Sequence, residues 1–142
     1  MITTRVQPQP FDAAAETALL TAGRHDIGAL VSFTGLVRDT ALSIEHYPAM
    51  TERQLAAVAA EAQARWPGIA GTIVHRFGDL APGDPIVLVA IIAPHRGDAF
   101  AACEFLMDWL KTRAPFWKRE AGAWVAAKAS DDAAAARWER PR

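Results

Sequence analysis

The sequence lacks the residues and segments on which several classes of protein depend. Cys103 is its single cysteine, so the chain can form no internal disulfide and has no cysteine cluster for zinc or an iron–sulfur centre. Its first residues contain no apolar segment typical of a signal peptide. The longest apolar run, residues 86–93, is far shorter than the roughly 20 residues of a membrane-spanning helix. These absences predict a cytoplasmic protein.

An excess of one charge and the common catalytic motifs are missing as well. The net charge of −1 predicts no general affinity for nucleic acid or an anionic membrane, so any basic site must be local. The chain has no G-x-G-x-x-G, no Walker loop, no metal-binding histidine pair on a helix and no G-x-S-x-G. We therefore expect no nucleotide, metal or other cofactor.

The length and the hydrophobic pattern predict one domain over residues 1–142 with an α+β fold. Paired strands between helices favour a mainly antiparallel sheet with helices packed on it. Strands are predicted over 2–7, 27–38, 43–47, 71–78 and 86–93, followed by a hairpin over 116–127 around Gly122. Helices are predicted over 13–22, from a capping box of Thr51 and Gln54 to Trp66, over 99–113, and in a short segment capped by Asp131.

The first and third helices have predicted N-caps, Asp12 and Asp98. The third helix also has a predicted buried stripe. Because Cys103 belongs to that stripe, we interpret it as a core thiol rather than a nucleophile. The stripe consists of Phe100, Cys103, Leu106, Met107 and Leu110.

Four cations crowd into nine residues of the segment 110–120: Lys111, Arg113, Lys118 and Arg119. Like charges at this density repel one another unless an anion or carboxylates lie among them. Lysine can become a neutral, reactive amine near other cations, and arginine suits phosphate. For Lys111 and Arg113, favourable contact with a helix C-terminus explains their position equally well. Lys118 and Arg119 lie beyond Pro115, and this favours an anion site for both.

Two further places have residues suited to a site, although each is unremarkable alone. The segment 93–98 contains His95 and Arg96 and joins the most apolar strand to a helix N-terminus, where anions tend to bind. A solvated turn explains it equally well. Arg38 follows the alternating strand, where an exposed arginine is common.

Residues 110–120, which read LKTRAPFWKRE, resemble the signature of the catalytic subunit of molybdopterin synthase. The resemblance extends in order over residues 5–138. Its other segments are 31–38 (VSFTGLVR), 45–50 (EHYPAM), 74–78 (VHRFG), 94–96 (PHR), and Ser130-Asp131 with Trp138.

This resemblance implies an α/β-hammerhead fold and a sulfurtransferase of molybdenum cofactor biosynthesis. A small ubiquitin-like carrier subunit presents a C-terminal Gly-Gly thiocarboxylate, and two sulfurs pass in successive steps to cyclic pyranopterin monophosphate, forming the molybdopterin dithiolene. The catalytic subunits form a central homodimer within a heterotetramer. No reactive cysteine is required, because the carrier brings its own sulfur.

The resemblance also implies roles for individual residues. Lys111 matches the lysine beside the carrier's C-terminus, with an acid–base role or transient bonding to the acyl group. Lys118 matches a second important lysine, which binds the pterin or an intermediate. Arg38, His95 and Arg96 match the substrate pocket. Lys128 stands where relatives often have an arginine that reaches the neighbouring subunit's pocket, and the turn over 39–43 is shorter than in many relatives.

Two other hypotheses remain open on the sequence alone. The first is a non-enzymatic module that binds a ubiquitin-like tail or an anionic ligand. The second is an acyl or phosphoryl transferase acting on a phosphorylated small molecule without a protein partner.

Overall fold

The computed structural model describes residues 1–120, 123–125 and 129–139, which form two sheets and four α-helices. The strands are β1 Ile2–Gln7, β2 Ala29–Leu36, β3 Leu42–His46, β4 Ala70–Arg76, β5 Gly78–Leu80, β6 Pro85–Ala93, β7 Phe116–Glu120 and β8 Ala123–Val125. The helices are α1 Ala13–Thr21, α2 Pro48–Arg65, α3 Arg96–Thr112 and α4 Ala129–Ala136, and a 3₁₀ turn, Arg137–Glu139, follows α4.

The first sheet has the order β1-β4-β6-β2, in which β1 and β4 are parallel and the other neighbouring pairs antiparallel. Residues 86–93 of β6 are buried throughout, as a continuous apolar run predicts for a strand covered on both faces. One face of the sheet packs against α2, which contacts β1, and against α3, which contacts β6 and β2. The other face packs against α1. The predicted α+β fold is confirmed.

The second sheet is antiparallel throughout, with the order β5-β3-β7-β8. Its inner face continues the main core through Ile44, which is 1% exposed, and Phe116. The predicted hairpin over 116–127 is observed as β7 and β8, while its turn at Gly122 lies outside the described residues. The predicted strand 71–78 is in fact two strands in two sheets, because Gly78 has a φ of +93° and redirects the chain.

The sequence-based helix starts are partly wrong. Asp12 caps α1 through its carboxylate and the amide of Ala15, as predicted. The helix α2 begins at Pro48, so the capping box of Thr51 and Gln54 does not exist. Proline is favoured in the first helical turn because it has no amide hydrogen to leave unpaired, and that signal was overlooked.

The predicted caps Asp98 and Asp131 are also wrong, since each lies within the first turn of its helix rather than before it. Both carboxylates are still well placed to meet the positive end of the helix dipole. In the predicted stripe of α3, Cys103, Leu106 and Leu110 are buried, but Phe100 is 60% exposed. Among the described residues, no helix is both long and apolar enough to span a membrane.

Candidate active site around Lys118

Lys118 lies on the inner, apolar face of the second sheet. Side chains alternate between the two faces of a strand, so Phe116 and Lys118 share the inner face of β7. The cross-strand partner of Lys118 is the fully buried Ile44. Burial disfavours the charged amine and, with the neighbouring positive charge of Lys111, lowers the pKa of Lys118 from 10.5 to about 8.

Lys111 reaches the same place from the last turn of α3. Its side chain is exposed, and its charge acts on both Lys118 and the buried His75. Asp131, in the first turn of α4, opposes this repulsion, because its carboxylate raises the pKa of Lys118. The two lysines predicted as catalytic are therefore close enough for their charges to interact, and one carboxylate of the C-terminal helix acts on Lys118.

Two histidines line the inner side of this region. The imidazole of His75 is 3% exposed and stacks on Phe116 with ring centroids 3.8 Å apart. Its Nδ1 donates to the carbonyl of Arg76 at 2.7 Å, which leaves Nε2 without a proton. Burial lowers the pKa of His75 to about 3. His46, whose ring lies 5.8 Å from that of Phe116, also has a lowered pKa because of burial.

His95 and Arg96 lie at the other end of α3. Arg96 is its first residue and Lys111 lies fifteen residues later, which corresponds to about 22 Å at a rise of 1.5 Å per residue. The start of β2 is tied to this end, because the amide of Gly28 donates to the carbonyl of Ala93 at 3.1 Å. Within one chain, His95 and Arg96 are therefore too far from the lysines to contact them.

Arg38 follows the end of β2 and is exposed, with a long 3.8 Å ion pair to Asp39. The short turn after β6 makes α3 run back along the first sheet, antiparallel to β6 and thus parallel to β2. Arg38 and Lys111 are consequently at the same end of the molecule, opposite His95 and Arg96. Lys128 lies outside the described residues.

The other two cations of the 110–120 segment do not join the lysines. Arg113 forms an ion pair with Glu139. Arg119 is on the outer face of β7, where its guanidinium carbon lies 4.3 Å from the ring centroid of Trp124 and its Nη2 lies 4.0 Å from Oε1 of Glu45. The expectation of a shared anion site for Lys118 and Arg119 is therefore wrong, since neighbouring residues of a strand face opposite ways.

The arrangement supplies amine chemistry near neutral pH. With a pKa of about 8, roughly a tenth of Lys118 is neutral at pH 7, against about 0.03% for an ordinary lysine. Cys103 is no competitor as a nucleophile, because burial raises the pKa of its thiol to about 11. Within the described parts of the chain, no group of histidines, cysteines and carboxylates is arranged to hold a metal ion.

Sequence reasoning missed His75, His46 and Asp131 as neighbours of the lysines. The two histidines appeared only within the resemblance segments 45–50 and 74–78, and Asp131 only as a helix cap and beside Ser130 in that resemblance. The alternation of β7 does predict that Phe116 and Lys118 share a face, but no local pattern shows which residues of β4 lie beneath that face.

Comparison with known proteins identifies relatives over nearly the whole chain. The family model described as MoaE protein matches residues 6–113. The molybdopterin synthase catalytic subunit of Cereibacter sphaeroides is 54% identical, over 94% of this chain and 97% of that protein. A structure titled as a molybdopterin biosynthesis MoaE protein from Burkholderia ambifaria superposes with a TM-score of 0.88 at 56% identity, covering 99% of this chain and 100% of that one. The structure of molybdopterin synthase from Staphylococcus aureus gives 0.74 at 34% identity, covering 84% and 90%.

Proposed function

The chain belongs to the MoaE protein family, and from this premise we propose that it is the catalytic subunit of a molybdopterin synthase. In this proposal it transfers sulfur from the Gly-Gly thiocarboxylate of a small ubiquitin-like carrier subunit to cyclic pyranopterin monophosphate, and so forms the molybdopterin dithiolene. Its proposed location is the cytoplasm, where the free thiol of Cys103 stays reduced.

The observation that carries the proposal is the pair formed by Lys118 and Lys111. Lys118 has a lowered pKa of about 8 on an apolar face, and the charge of Lys111 acts on it. A sulfur donor that ends in a thiocarboxylate and a substrate that carries a phosphate are both anions. Cations gathered at low dielectric attract such groups more strongly than cations in water do.

The two lysines take different roles because their environments differ. Loss of sulfur from a thiocarboxylate leaves an acyl carbon that must receive an oxygen in exchange, and the exchange requires proton transfers. Lys111, exposed at the end of α3, is placed to meet an incoming tail and to act in acid–base catalysis or to bond the acyl group transiently. Lys118, more buried, is assigned to hold the pterin or an intermediate.

We infer that a second copy completes the substrate pocket. One of the two edge strands of the first sheet is β2, and it carries the exposed apolar residues Leu30, Phe33 and Leu36. An unpaired edge strand is a template for pairing with another chain. Antiparallel pairing of β2 with its copy around a two-fold axis places His95 and Arg96 of one subunit at the Arg38 end of the other. The homodimer thereby explains how residues about 22 Å apart in one chain serve one substrate.

The deciding experiment mixes the purified chain with thiocarboxylated carrier and cyclic pyranopterin monophosphate and measures molybdopterin. We expect product with the thiocarboxylate and none with the ordinary carboxylate form of the carrier. In a single turnover, tight binding of the carrier without any pterin product would instead establish the non-enzymatic module.

Subunit complementation tests the shared pocket. Lys111→Ala and Arg96→Ala homodimers are each expected to be inactive. When the two variants are mixed and allowed to exchange subunits, one intact pocket forms in each mixed dimer, so activity returns. Without recovery in verified mixed dimers, Lys111 and Arg96 do not act across the interface.

A further inference from the structure

A pocket on the outer face of the second sheet has the composition of a cation-binding site. Its volume is about 230 Å³, and it is lined by Glu45, His46, Tyr47, Trp117 and Trp124. The rings of Tyr47 and Trp117 meet edge to face at 5.0 Å and 77°. Three aromatic side chains and a carboxylate therefore surround one hollow.

These aromatic side chains are unusually open to solvent. Tyr47 is 62%, Trp117 41% and Trp124 55% exposed. Trp117 lies opposite Glu45 on β3, and Trp124 lies opposite Arg119 on β7. The strand register places Glu45, Trp117 and Trp124 on the face opposite Lys118, whereas His46 borders the pocket from the inner face that it shares with Phe116.

We propose that this pocket binds an organic cation, either an alkylammonium or a guanidinium group. The electron-rich faces of tryptophan and tyrosine attract such cations, and a nearby carboxylate adds a full opposite charge. The proposal does not depend on sulfur transfer, because Glu45, Trp117 and Trp124, which supply the charge and the indole rings, face away from Lys118.

Arg119 already demonstrates the preference within the chain. Its guanidinium lies over Trp124 at 4.3 Å, yet its contact with Glu45 is long, at 4.0 Å. One wall and part of the carboxylate are therefore engaged by an internal cation, while Tyr47 and Trp117 remain open. Removing Arg119 should free the rest of the pocket and strengthen the binding of an external cation.

The test compares choline with its uncharged isostere 3,3-dimethylbutan-1-ol. Binding is followed through the indole N–H signals of Trp117 and Trp124 in NMR titrations of the full chain. We expect choline to bind at least about fivefold more tightly than the isostere. Equal binding of the two, or no shift of either indole up to about 0.1 M choline, overturns the proposal.

Matched variants locate the effect. Trp117→Leu keeps an apolar side chain but removes the aromatic face, and Glu45→Gln removes the charge, so both should weaken choline binding severalfold. Arg119→Ala should tighten it, and Phe100→Ala, on a distant exposed surface, should leave it unchanged. Unaltered binding in a folded Trp117→Leu variant overturns the assignment of the pocket.

The cation has two possible sources, a free small molecule or a basic side chain of a protein partner. Titrating the carrier subunit in the presence of saturating choline separates them. Weakened carrier binding identifies a lysine or arginine of that partner as the occupant, whereas unchanged carrier binding identifies a free cation.

Discussion

The charge of Lys118 is predicted to destabilise the folded protein, and Lys118→Met should remove that cost. In the unfolded chain this amine has its ordinary pKa of 10.5, whereas in the folded protein the pKa is about 8. A base whose pKa falls on folding binds its proton more weakly in the native state. The contribution of Lys118 to the free energy of unfolding is therefore most unfavourable below pH 8, and this cost shrinks as the pH increases from about 8 to 10.5.

The size of this effect follows from the two pKa values. At pH 7 the lysine costs about 3 kcal/mol of the free energy of unfolding, and at pH 10 about 1 kcal/mol. Methionine has a similar length and no charge, so Lys118→Met should raise the free energy of unfolding by an amount of that order at pH 7 and by much less at pH 10. The same variant should lose synthase activity, as expected where function requires a destabilised residue.

Urea unfolding at both pH values measures the difference. The matched control is Arg53→Met, an exposed cation on α2, for which the change should stay within about 0.5 kcal/mol. If Lys118→Met is no more stable than the wild type at pH 7, or if its gain does not shrink at pH 10, the folded protein does not disfavour the charged form of Lys118.

Three other perturbations test separate parts of the structure. Lys111→Met should raise the pKa of Lys118, because the charge of Lys111 lowers it. Labelling of the Lys118 amine at several pH values, followed by mass spectrometry, measures this pKa. An unchanged pKa would mean that the charges of the two lysines do not interact. Cys103→Ala should keep activity, and the native thiol should resist iodoacetamide at pH 8, since its pKa is raised to about 11; rapid labelling would contradict its burial. Trp138→Ala should cost about 3 kcal/mol in thermal or urea unfolding, because Trp138 packs on Trp66 and Phe105 and donates from Nε1 to Asp108 at 2.6 Å; a loss below about 1 kcal/mol would refute that role.

Local patterns were sufficient where a single periodicity or composition determines the structure. The apolar run of β6 and the cap at Asp12 are of this kind. They were insufficient where two signals compete, as at the start of α2, where Pro48 begins the helix before Thr51. They failed for Phe100, because the helical period allows several apolar faces and only the tertiary packing selects the one with Ala99, Ala102 and Leu106.

The site was partly predictable for a related reason. The density of cations in 110–120 indicated an electrostatic function, but charge density alone could not assign Lys118 and Arg119 to opposite faces until the residues were known to form a strand. The family resemblance grouped Arg38, His95 and Arg96 with the lysines without indicating from which subunit each comes. The direction of α3 relative to β2 separates them.

Proton uptake on ligand binding provides a final test of the lysine site. An anion bound beside Lys118 favours its charged form and must raise its pKa from about 8. At pH 8 about half of these amines are neutral, so binding of the pterin phosphate should take up as much as half a proton per site. Calorimetric titration in two buffers with different ionisation enthalpies measures this uptake directly, and in Lys118→Met the uptake should disappear. Equal uptake in the variant would mean that another group accepts the proton and that the phosphate binds away from Lys118.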